Sequence, residues 1–253
     1  GWPEDKVRHA VDQLTLGPRD PFWPQDGPTD AYPWRFNRGL SYLRRPLLLR
    51  NNAQGAEFVW GSRNLFRAGQ YLLDLCMTGR LKARSELMKR VITSMRQKDG
   101  EAFNDTVADL LNRPATIVKK RVRRIGSLRI ARPNGEDLGD IDVLVVNKQT
   151  RRITAVETKD LEFARTPAEL SNEVSKLAMG SHSTAHKHRD RMEWARGHID
   201  EILRWLEIPS DARRWRVHGI IVTSRDLLTP LTVAAGVDTV SYRSVRESPE
   251  NFA

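Results

Sequence analysis

Apolar positions along this chain recur with two periods, and the places where one gives way to the other mark its elements. A three-to-four spacing that puts Val7, Ala10, Val11 and Leu14 on one face predicts a short helix within residues 3–16. Residues 46–50 and 57–60 read as short strands joined by a turn from Asn51 to Gly55. Helical spacing returns over 63–78, with Ser62 expected as N-cap, Leu65, Leu72, Leu73 and Leu75 as buried positions and Gly79 as the stop. Residues 84–97 predict a further helix, which Lys98-Asp99-Gly100 is expected to break. The strongest amphipathic pattern follows at 101–111, where Phe103, Val107, Leu110 and Leu111 share a face.

Beyond residue 112 the period shortens. Residues 116–125 predict a strand, Pro133-Asn134-Gly135 a turn, and 139–161 a β-hairpin. Helices are expected over 167–179, with Thr166 as cap and Pro167 at the first position, and over 184–206. The buried stripe of the latter is Met192, Ala195, Ile199, Ile202, Leu203 and Leu206. Residues 215–223 read as a buried strand and 237–242 as a final edge strand. Two domains are expected, 1–98 as an N-terminal arm with an accessory α/β region, and 99–253 as a second domain around the 139–161 hairpin. Within the first, residues 17–34 set Phe22, Trp23 and Trp34 among prolines, which predicts an irregular arm packed against something.

The hairpin carries the chemistry. Ile141, Val143, Leu144, Val145 and Val146 form one apolar run and Ile153, Ala155 and Val156 the other, around a polar loop centred on Gln149 and Thr150. A symmetric hairpin then pairs residues whose numbers sum to 299. Asp142 faces Glu157, Asp140 faces Lys159, and Asp142, Glu157 and Lys159 emerge on one face. A slip of one residue would send Asp142 to the other side. Neighbouring carboxylates are costly to bury without a cation between them, and a hard divalent ion meets that need.

Asp142, in the phrase Gly-Asp-Ile-Asp-Val-Leu, followed by Glu157-Thr158-Lys159 on the next strand, resembles the PD-(D/E)xK, or restriction-endonuclease-like, nuclease superfamily. The resemblance covers about 101–242. It implies an α/β fold with an αβββαβ core and a mixed central sheet, here preceded by the N-terminal accessory region. It also implies Mg²⁺ (or Mn²⁺) on Asp142 and Glu157, Lys159 positioning the attacking water, and hydrolysis of DNA phosphodiesters, a chemistry such nucleases often apply in restriction, phage defence or repair. The superfamily's first core helix often carries a Glu after a Phe such as Phe103. Here that position is Asn104, a departure for which Glu101, one turn earlier, is the candidate replacement ligand, with Asp105 as another. A solvated acid pair on a non-catalytic nucleic-acid-binding module of the same fold is the plain alternative.

A second resemblance shares part of this stretch. Gly126-Ser127 followed by Asp140-Ile141-Asp142 is similar to polymerase-β-like nucleotidyltransferases, in which both aspartates hold Mg²⁺. That pattern needs Gly126-Ser127 to open a helix and has no use for Glu157 and Lys159.

Charge sharpens the picture. Lys and Arg number 42 against 32 Asp and Glu, a net charge of +10. Residues 113–132 hold eight cations and no acid. Within that run Lys119, Lys120, Arg121, Arg123 and Arg124 are the expected phosphate contacts, with DNA the expected partner. His182, His186 and His188 lack the third acid or Cys that a metal site at that spacing needs. The single Cys76 excludes an internal disulfide and points to a reducing, cytoplasmic setting. No apolar run is long enough to span a membrane. Because the sequence lacks an initiating Met, a processed product, a fragment of a longer protein or a partner in a larger assembly is expected.

Overall fold

The computed structural model describes residues 1–18, 41–83, 85–161, 163–164, 167–209, 215–232 and 236–253. Most of the aromatic, proline-rich stretch at 17–34 and the expected cap Thr166 lie outside the described residues. The chain forms two compact units, one of residues 1–98 with 166–168, the other of 99–165 with 169–253.

In the first unit, helix α1 (Glu4–Leu14) leads into strand β1 (Thr15–Leu16). β1 pairs in parallel with β2 (Leu47–Asn52), which turns back antiparallel as β3 (Gly55–Val59). Helix α2 (Ser62–Met77) follows, but Ser62 is its first helical residue; Gly61 is the N-cap and offers no side-chain bond. The expected break at Lys98-Asp99-Gly100 is absent. Helix α3 runs unbroken from Glu86 to Leu111. One Gly in a helix interior costs only about 1 kcal/mol relative to Ala, too little to stop a helix continued on both sides.

The second unit takes the last turns of α3 and a five-stranded sheet of order β10-β9-β8-β7-β4. The single strand expected over 116–125 stops early. β4 (Thr116–Val122) ends, and a small hairpin of β5 (Arg124–Ile125) and β6 (Leu128–Arg129) follows it. Strand β7 (Ile141–Asn147) lies antiparallel to β4 and to β8 (Arg152–Lys159). Helices α4 (Pro167–Leu177), α5 (Thr184–Gly197) and α6 (Ile199–Trp205) carry the chain to β9 (Arg216–Thr223), parallel to β8. After α7 (Thr229–Thr232), β10 (Asp238–Ser241) adds a parallel edge strand, followed by α8 (Tyr242–Glu247) and a short 3-10 turn at Pro249–Asn251. The class is α/β with a mixed central sheet. The expected helix 184–206 is two, divided at His198, whose backbone (φ −127°, ψ 31°) leaves the helical region.

Strand alternation divides the core between the sheet's two faces. Leu144, Val146, Ile153 and Ala155 pack with Trp194, Ala195, Ile202 and Leu203 of α5 and α6. Val143, Val145, Val156, Ile220 and Val222 pack with Val107, Ala108 and Leu111 of α3. Fully burying each such aliphatic side chain contributes about 1.5–3 kcal/mol, so these two faces are enough to fix the register of β7 and β8.

Close approach of α5 to β9 depends on Gly219. A Cβ there would lie 2.0 Å from Met192 Sδ and 3.0 Å from His188 Nε2. Gly219→Ala is therefore expected to force Met192 out of place and lower stability by about 1–3 kcal/mol, read as a reduced urea midpoint with an unchanged slope.

Candidate active site at the β7–β8 hairpin

The register of the hairpin puts the two acids at adjoining positions. The β7–β8 ladder runs from Asn147↔Arg152 to Val143↔Val156 and stops there. Its pairs sum to 299, the register expected from the symmetry of the loop. On the other side of β7, the β4 ladder contains Lys120↔Val143 and Val122↔Ile141 but skips the pair between them, Arg121 and Asp142. Arg121 has a left-handed backbone (φ 51°). Asp142 thus pairs in neither ladder, and the sheet opens around it. The pairs on either side of the gap keep one register, so no residue is inserted and the lapse is local to Arg121 and Asp142.

Into that opening Asp142 turns its Oδ2, which accepts from the Thr158 backbone N–H at 2.7 Å and the Thr158 hydroxyl at 3.1 Å. Its Oδ1 accepts no hydrogen bond among the described residues. Glu157 is buried and has both oxygens occupied. Lys159 Nζ lies 2.6 Å from Oε1, and Arg191 Nη1 donates to Oε2. Among the described residues Asp140 forms no ion pair with Lys159; it stands 4.0 Å from Arg123.

These surroundings set the two acids apart. Burial, then the charge of Glu157, push the Asp142 carboxyl up to about 6, against the opposing pull of the Thr158 bond and Lys159. Burial also works against ionisation of Glu157, but Lys159 and Arg191 outweigh it and hold that carboxyl below its usual range. One acid is firmly ionised while its neighbour is short of positive charge, a difference that groups set up for proton or ion chemistry commonly show.

Arg191 is the residue that sequence reasoning missed. It lies on α5, 34 positions from Glu157, and is nearly buried. Its Nε donates to the Leu138 carbonyl at 2.7 Å. The guanidinium fills the space beside Gly139, where a Cβ would lie 3.1 Å from Nη2; Gly139 also has φ +77°. Arg191 therefore ties helix α5, strand β8 and the segment entering β7 to one another. Only its place in the buried interval of an otherwise polar helix could have signalled it.

The other expected residues are scattered. The exposed Glu101 lies on α3, and its backbone oxygen accepts from Arg121. Among the described residues no three His, Cys, Asp or Glu side chains converge as a metal cluster would require. Asn104 is buried, and its Oδ1 has no hydrogen-bond partner among the described residues. Asp105 faces Lys120 and Arg121 instead. Lys120 also pairs with Asp109 at 2.8 Å, so α3 neutralises two of the five expected phosphate contacts. Lys119 lies over the Trp205 ring, 5.8 Å from its centre. Gly126 and Ser127 form the β5–β6 turn, not the start of a helix. His188 donates from Nε2 to the Ala155 carbonyl at 3.1 Å; burial pushes it down to about 4, so it is a neutral core residue at pH 7.

Arg123 and Arg124, by contrast, line an open groove of about 870 Å³. His182, just before α5, and His186 and Lys187 in its first turn line it too, and it reaches Gly139, Asp140 and Arg191 beside the acids. No described helix is long and apolar enough to cross a membrane.

The family model of the anti-phage protein Upx-like family matches residues 9–215, and the chain belongs to that family. It is accordingly a phage-defence protein by family. No curated protein and no solved structure matches it.

The raised Asp142 carboxyl gives a pH test. A carboxyl that titrates higher in the folded state than in the unfolded chain binds its proton more tightly when folded, so stability falls as pH rises from about 4 to about 6. Asp142→Asn keeps an acceptor for Thr158 and removes the penalty. Without divalent ions, the variant should exceed the parent in stability by up to about 3 kcal/mol above pH 6.5. The gap should close below pH 4, as measured by urea denaturation across pH.

Proposed function

We propose that this chain defends against phage as a divalent-metal-dependent nuclease that hydrolyses phosphodiester bonds of DNA. The observation that carries the reading is Asp142: a half-buried carboxyl where the strand pairing lapses, one oxygen uncommitted among the described residues, beside a second acid and short of positive charge. A hard cation fits that deficit. Asp142 and Glu157 would hold Mg²⁺ or Mn²⁺, which when bound supplies Lewis acidity toward the phosphate and acidifies water. Thr158 fixes the direction of Asp142. Arg191 keeps Glu157 ionised and oriented. Lys159, half-exposed beside Glu157, can hold a water at the mouth of the site. The hairpin register, the order of strands and the crossover between β8 and β9 all support a PD-(D/E)xK nuclease.

One observation favours a second reading, a non-catalytic nucleic-acid-binding module. Both oxygens of Glu157 already meet cations of the chain, and Asn104 stands where the superfamily often has a Glu. Nucleotidyl transfer has less support, because Gly126 and Ser127 make a hairpin turn.

Plasmid nicking separates these possibilities. With Mg²⁺, Lys159→Ala is expected to slow nicking about 10²–10⁴-fold, Asp142→Ala and Glu157→Ala to abolish it, and Ser127→Ala to leave it unchanged. Full activity in either acid variant would remove the site assignment. DNA binding without any nicking by the parent protein would favour the non-catalytic module.

A further inference from the structure

The cationic groove has an apolar neighbour. A second hollow, of about 780 Å³, opens beside it, and Arg129, Arg132, Leu138 and Asp190 line both. The rest of its lining is mainly apolar: Leu128, Ala131, Pro133 and the half-buried His198, with Glu193 at the edge. The His198 ring stacks on the core residue Trp194, 4.5 Å away at 23°, which shows only a little of its indole there. The division between α5 and α6 falls at His198, on this wall. One surface therefore passes from a charged side to an apolar, aromatic side.

Arg132 is held by Glu136 and Asp190, and Arg191 by Glu157, but the other cations of the groove are more loosely held. Arg129 pairs with Asp137, but both are mostly exposed, and such pairs contribute little. Arg123 is 83% exposed and stands 4.0 Å from the Asp140 carboxylate, a loose pair at most. Lys187 is exposed. These cations suit phosphates. A duplex would offer them its backbone alone, since its bases are paired and stacked and must be flipped out before they can enter a pocket. An unpaired strand offers phosphates and flat apolar bases together, and base contacts with aromatic or apolar walls commonly change affinity by a factor of ten or so.

We infer that the groove and the hollow together bind a DNA strand with unpaired bases, its phosphates on Arg123, Arg124 and Lys187 and a base in the hollow beside Trp194 and His198. This deepens the nuclease reading and rests on it for the identity of the ligand.

The test is fluorescence anisotropy of the full chain in EDTA, so that cleavage plays no part. Three labelled probes of equal length are compared: oligothymidylate, a fully abasic strand and a duplex. Oligothymidylate is expected to bind at least tenfold more tightly than the abasic strand, and more tightly than the duplex. His198→Ala, and separately Ala131→Leu to narrow the hollow, should shrink the thymidylate-to-abasic ratio without changing abasic binding. The pair Arg123→Ala with Lys187→Ala should weaken both strands and lower the log–log salt slope by about 0.7 for each phosphate no longer neutralised. Equal binding of thymidylate and abasic strands, a ratio untouched by both hollow variants, or tighter binding of the duplex would overturn the inference. Nicking in Mg²⁺ is scored separately. Lost base preference with nicking intact refutes this inference alone, and base preference without nicking refutes the nuclease reading alone.

Discussion

The contact between Arg191 and Glu157 is the constraint on which the rest of this unit depends. Both side chains are nearly buried, and breaking a buried pair by removing one partner costs up to about 3–5 kcal/mol, the upper end applying where no second counter-charge remains. The same guanidinium takes the Leu138 carbonyl and lies against Gly139. A single side chain thus fixes where α5 sits over β8 and how the chain enters β7. Gly219, which lets Met192 approach β9, is a second point of close contact for the same helix.

The consequence is an uneven pair of acids. Glu157 takes the cations that the chain supplies, and Asp142 is left to meet its neighbour's charge with two hydrogen bonds from Thr158. The strand opening at Asp142 is part of the same arrangement, since a regular ladder would have spent the Thr158 N–H on backbone pairing. A protein that needed only stability would gain from an uncharged residue there. Keeping a strained carboxyl is easier to understand if the site takes up a cation, and membership of an anti-phage family gives such a site a setting.

The basic surface shows how little a run of charge says by itself. Lys120 and Arg121 face the acids of α3, and Lys119 faces an indole, while Arg123 and Arg124, a few residues on, line the groove beside the acids. The difference is the end of β4 at Val122. Beyond it the chain leaves the sheet, and its arginines leave the reach of α3.

What the sequence determined by itself was what local periodicity enforces. The β7–β8 register was legible because side chains alternate on a strand and the loop is symmetric, so apolar burial on both faces admits one pairing. The apolar face of the last turns of α3 and the edge position of β10 were legible for the same reason. The tertiary structure decided what depends on distant partners. It brought Arg191 across 34 residues to Glu157, through a crossover whose length says nothing about which side chain will arrive. It carried α3 straight through Gly100, where a local penalty is small beside helical continuity, and it divided the later helix at His198, where the pattern ran on. It also decided which cations meet an acid and which do not, since an ion pair is set by proximity in space and leaves no periodic mark on the chain.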